Sequence, residues 1–84
     1  KSNLSDQLEI PKDIIMDLPK ITCIGNMHIN IENYKNVIEY NTELIRLKTK
    51  DGMLRIEGLD MKIESITDED ILITGTLSSV DFFK

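Results

Sequence analysis

Over much of this chain, apolar residues recur at every second position. Met27, Ile29 and Ile31 alternate with His28, Asn30 and Glu32, and Ile45 and Leu47 with Arg46 and Lys48. Leu54 and Ile56 alternate with Arg55 and Glu57, and Leu59, Met61 and Ile63 with Asp60, Lys62 and Glu64. Successive side chains on a strand point to opposite faces, whereas a helix repeats every 3.6 residues. The spacing therefore predicts half-buried strands. The residue types agree. Fourteen residues are Ile, nine are Leu and none is Ala. Ala is the best helix former, while β-branched Ile is stiff at χ1 and suits a pleated surface.

Turn residues divide the pattern. Ile21 and Cys23 lead to Gly25-Asn26, read as a turn or kink. A turn over 33–36 precedes a short strand from Val37 to Tyr40, closed by Asn41-Thr42. Lys50-Asp51-Gly52 is the clearest hairpin signal, because Asp-Gly tolerates the positive φ of tight hairpin turns. Gly58 marks a further corner, and residues 67–70 form a polar turn. Ile71, Ile73 and Leu77 share a face with Gly75; Val80 and Phe82 fall on the other parity, which a bulge near Ser78-Ser79 explains. The result is an all-β chain: a small antiparallel β-sandwich, or a meander closed as a sandwich or barrel, of six to eight short strands. Each strand has one apolar face, which a second layer must cover.

The chain has 84 residues, enough for one domain. Residues 1–9 are polar and aperiodic and read as a flexible segment, leaving 10–84 as the domain. Between Ile10 and Leu18, Pro11 followed by Ile14, Ile15 and Leu18 fits a short amphipathic helix, while Ile14 to Met16 fits a short strand, slightly preferred. Pro19 ends either one. The chain starts with Lys, so its start is expected to be trimmed, and an upstream leader stays open.

The formal net charge is −5 and the pI about 4.7. That disfavours nucleic acid as a partner, since phosphate neutralisation needs a basic patch, and it disfavours anionic lipid headgroups. No apolar run approaches the roughly 20 residues of a transmembrane helix. The lone cysteine, Cys23, forms no internal disulfide and is expected to be a buried thiol acting as a small hydrophobe.

No catalytic, cofactor-binding or metal-binding residue emerges. His28 is the only histidine, and it sits at a polar parity without ligands at metal spacing. Cys23 and His28 are expected on opposite faces, which excludes a nucleophile–base pair. Asp68, Glu69 and Asp70 lack the EF-hand pattern and read as a solvated turn. The four glycines are scattered, so no phosphate loop is present. A glycosidase needs two opposed carboxylates in a cleft, but the acids here lie mostly at turns or outward positions. The aromatic residues are Tyr34, Tyr40, Phe82 and Phe83, and these are the candidate partner-binding residues. Phe82 and Phe83 must point to opposite faces of a final strand. Tyr34 and Tyr40 flank a strand, where they would serve the alternative of a small-ligand or glycan-binding β-sandwich.

Several motifs lie in a telling order: Leu18-Pro19-Lys20-Ile21-Thr22, Ile24-Gly25-Asn26, Ile31-Glu32-Asn33-Tyr34, Ile38-Glu39-Tyr40, Glu43-Leu44-Ile45-Arg46, and the G-x-L-x-I-x-G run from Gly52 to Gly58. In this order and spacing, from Leu8 to Val80, the chain resembles the YabP/YqfC family of bacterial sporulation proteins, closest to its YqfC branch. The resemblance implies an immunoglobulin-like sandwich from an endospore-forming Firmicute. It also implies synthesis in the mother cell and a cytoplasmic location peripheral to the forespore outer membrane. The implied function is that of a non-enzymatic protein-interaction module in spore morphogenesis, with no cofactor. The implied partner is a membrane protein of the YqfD type. Self-association by sheet-edge contact is a further expectation, drawn from the strand pattern.

Overall fold

The structure is a computed structural model, and it describes residues 17–84. The two readings of the stretch before Leu18, and that of residues 1–9, lie largely or wholly outside the described residues. Among the described residues all regular structure is β. The six strands are β1 (Lys20–Ile24), β2 (His28–Glu32), β3 (Asn36–Tyr40), β4 (Leu44–Lys48), β5 (Met53–Ile66) and β6 (Asp70–Phe83). They form one antiparallel sheet in the order β1-β2-β6-β5-β4-β3. β3 to β6 make a meander, and the β1–β2 hairpin joins the far side of β6. Two strands are much longer than the pattern suggests. The runs on either side of Gly58, and on either side of Ser78, each belong to one continuous 14-residue strand.

The sheet is not flat, and the β2–β3 link shows why. β2 and β3 stand four places apart in the sheet, which is about 19 Å in a flat one. Only residues 33–35 join them, a reach of about 14 Å. The two ends also lie at opposite ends of the long hairpin. β2 pairs with residues 70–74 of β6, whereas β4 pairs with residues 53–57 of β5. The sheet therefore doubles over across the middle of β5 and β6. Ile29, Ile31, Ile71 and Ile73 from one half meet Ile45, Leu47, Leu54 and Ile56 from the other in a single core. One sheet thus supplies both layers of the sandwich. Each such side chain contributes roughly 1.5–3 kcal/mol by leaving water.

Bulges make the fold possible. Leu59 pairs with Thr76 and Lys62 with Thr74, so Asp60 and Met61 oppose Gly75 alone. Two residues against one bend a strand and shift its parity. Asp60 takes φ +53° and Gly75 φ +144°. A Cβ on Gly75 would sit 2.8 Å from the Met61 Cα and 2.9 Å from the Asp60 carbonyl oxygen, so only glycine fits. The bulge turns Met61 inward, at 1% exposure, and leaves Leu59 on the outer face at 56%. The sequence pattern set both on one face. The expected bulge at Ser78-Ser79 is present: Glu57 pairs with Ser79 and Gly58 with Leu77, leaving Ser78 over.

Hydrogen bonds fix both ends of the doubled sheet. At the bend, the N–H groups of Gly75 and Leu77 donate to Met27 and Asn26 in the β1–β2 turn. Those of Gly58 and Met61 donate to Glu43 and Thr42 in the β3–β4 turn. Met27 therefore belongs to a turn and is exposed, where the alternation placed it inside. At the other end, Asn33 N–H donates to the Glu69 carbonyl and Lys35 N–H to that of Lys48. The hairpin expected at Lys50-Asp51-Gly52 is present, but Gly52 is not among the residues of positive φ. Glycine is needed there for space: the Phe83 carbonyl oxygen lies where a Cβ would stand.

Candidate functional site

Cross-strand register decides where each singled-out side chain points, because directly paired residues share a face. Phe82 pairs with Leu54, which is fully buried, so Phe82 is on the core side of β6. It is nevertheless 68% exposed, the most exposed large apolar side chain among the described residues. The other layer stops short of this end of the strand. Beside it Leu18, Pro19, Gly52, Met53 and Phe83 line a mainly apolar cleft of about 360 Å³. Phe83 pairs with Met53 on the outer face, with the Arg55 guanidinium 4.7 Å from its ring centroid. Arg55 is in turn 3.4 Å from Asp81 and 3.3 Å from Glu57. Its Nε is buried without a well-aligned hydrogen-bond partner, since Glu57 approaches off-axis. The two phenylalanines thus point to opposite faces, as alternation requires, and both are exposed.

The tyrosines part company. Tyr34 is buried at 9% exposure, and its hydroxyl donates a 2.6 Å hydrogen bond to the Thr67 carbonyl at the tip of the β5–β6 hairpin. Burial, then the charges of Asp68 and Asp70, push its pKa above the ordinary tyrosine value. Tyr40 lies at the far end of β3 and is exposed. One tyrosine is consumed in packing and the two do not converge, so they frame no concave sugar platform.

Cys23 is exposed, contrary to the expected buried thiol. It pairs with Ile29 and so has core parity, but β1 is an edge strand whose inner side is left uncovered at Cys23. His28 pairs with Ile24 and Thr74 on the opposite, outer face. Thr67, Asp68, Glu69 and Asp70 form a turn braced by its own side chains and tied through the Thr67 and Glu69 carbonyls to Tyr34 and Asn33. The Thr67 hydroxyl accepts from the N–H groups of Glu69 and Asp70 and donates to the Asp70 carboxylate. Among the described residues no group of three or more His, Cys, Asp or Glu is placed to hold a metal ion. No described helix is long and apolar enough to cross a membrane. Near the cleft, Lys35 Nζ donates to the Asp17 carboxylate at 2.8 Å, which holds that carboxyl below the usual range. Asn33 Nδ2 donates to the Leu18 carbonyl, so the chain entering β1 is tied to the β2–β3 link. Sequence reasoning missed the cleft, because its walls come from three segments about thirty residues apart.

The chain is a small antiparallel β-sheet protein doubled into two layers, and it is a member of the YabP family, whose profile matches residues 17–84. The chain is also 40% identical over all 84 residues to the uncharacterized protein YqfC of Bacillus subtilis (strain 168). That alignment covers the whole chain and 90% of the relative.

Proposed function

We propose that the protein is a non-enzymatic sporulation protein, a protein-interaction module in spore morphogenesis that works with a membrane protein of the YqfD type. It acts in the mother-cell cytoplasm, peripheral to the forespore outer membrane. Family membership supports the biological setting. One observation supports an interaction role: the cleft at Phe82 is walled mainly by apolar side chains and main chain, with Thr49, Asp51 and Lys84 as its polar members and neither His nor Cys. Such a lining suits an apolar anchor from a partner and lacks the paired acid and base that hydrolysis requires.

The test is affinity capture of the tagged full chain from detergent-solubilised membranes of sporulating cells, probed for the YqfD-type protein. Co-elution of the two is expected. A chain recovered in the soluble fraction without that protein would overturn the reading. A purified chain that turned over cortex polymer, with activity lost on changing one carboxylate, would replace it with an enzyme.

A further inference from the structure

We infer that two copies of this chain associate edge to edge along the last stretch of β6, with Phe82 of one copy directly across from Phe82 of the other. The inference rests on reading the domain as an interaction module, and it names the edge and the occupant.

The main chain itself points to this edge. β2 covers β6 only over residues 70–74, and the β1–β2 turn takes the N–H groups of Gly75 and Leu77. Beyond them, among the described residues, residues 79–83 pair with β5 on one side alone. The remaining open edges are less suited. β3 is interrupted between Val37 and Glu39, and Glu39 is held by Arg46 at 2.7 Å. The second half of β5 carries Lys62 and Glu64. β1 opens with Lys20, and its residues do not line the cleft. Charges and irregularities of this kind are how natural sheets discourage pairing. The end of β6 has one charge, Asp81, already beside Arg55, and it borders the apolar cleft.

The occupant follows from chemistry and symmetry. A row of N–H and C=O groups at strand spacing is matched by another extended main chain, not by a lipid or a small ligand. A second copy meets it antiparallel about a two-fold axis normal to the sheet. That operation sets residues of like parity opposite each other and keeps both core faces on one side. Three registers centre on the middle of this edge. Centring on Val80 drives Phe83 against Leu77, whose N–H is already bound to Asn26. Centring on Asp81 opposes two carboxylates, which repel. Centring on Phe82 opposes the two exposed rings, sets Asp81 against the other copy's Phe83, and lets each ring cover the neighbouring cleft. An aromatic pair at the centre of an isologous contact is the arrangement that concentrates binding energy. One short strand pair with two rings buries well under the ~800 Å² per partner of a standard interface. The dimer is therefore weak, and it forms at high local concentration.

Sedimentation equilibrium of the full chain, from micromolar to millimolar, tests this. Reversible dimerisation is expected, weakened at least tenfold by Phe82→Asp, with an unchanged far-ultraviolet spectrum showing the fold intact. In a Cys23→Ser background, Phe82→Cys should be trapped as a disulfide dimer on oxidation, and Ser79→Cys should not. A monomer across the whole range overturns the inference. So does a dimer that Phe82→Asp leaves untouched, or equal trapping at both positions. A strictly monomeric chain that still captures the membrane protein would sink this inference alone. A dimer that captures nothing would sink the proposed function and leave the dimer standing.

Discussion

Tyr34 closes the doubled sheet through a single oxygen. Its hydroxyl bonds the Thr67 carbonyl at the hairpin tip, while the flanking Asn33 and Lys35 amides bond Glu69 and Lys48. Tyr34→Phe should cost about 1 kcal/mol, since it deletes one net hydrogen bond and leaves a carbonyl poorly satisfied; chemical denaturation at neutral pH measures it. The raised pKa carries its own signature. The unfolded chain loses this proton near pH 10, and the folded chain loses it higher. Stability from the neutral phenol is complete below about pH 10 and declines as pH rises through the folded value. Denaturation midpoints between neutral and strongly alkaline pH should fall more for the natural chain than for Tyr34→Phe, and equal falls would refute the assignment. Gly75→Ala has no comparable room. With φ at +144° and main chain 2.8 Å from the new Cβ, it should cost about 2–4 kcal/mol, read from the same denaturation curves.

Among the elements, the β5–β6 hairpin governs the molecule. Its bulges convert what would be a flat ribbon into two facing halves, and they decide which apolar residues enter the core. Leu54 and Leu59 look alike in sequence, each beginning an alternating run. Leu54 is fully buried and Leu59 is on the outer face. Leu54→Ala should cost about 2–5 kcal/mol, whereas Leu59→Ala should stay within about 0.5 kcal/mol of neutral. A matched pair of thermal melts distinguishes them, and equal losses would mean that the 60–61 bulge is misplaced. The same change of parity was legible as a broken alternation at Gly58. Its cause, two residues opposing Gly75, was not, because it depends on which residues pair across the hairpin.

For the whole molecule, the two layers are one cooperative unit. Among the described residues every buried apolar side chain belongs to one cluster, and the halves are joined through both long strands and the β2–β3 link. Neither half keeps a covered face without the other, so unfolding is expected to be two-state. Far-ultraviolet dichroism and tyrosine fluorescence should give coincident denaturation curves. Separate transitions would mean that the halves are independent.

The alternation of Ile, Leu and Met by itself determined the strand content, the antiparallel character, the inward residues of β2, β4 and the first half of β5, and the bulge near Ser78. These are local properties, set by a period of two and by turn chemistry. Register and layer closure are not local. The doubling of one sheet into two layers, the outward turn of Leu59, the exposure of Cys23, the burial of Tyr34 and the cleft beside Phe82 depend on segments tens of residues apart being brought together. Only tertiary structure decides those. A side chain of core parity is buried where the opposing layer reaches it and exposed where that layer ends.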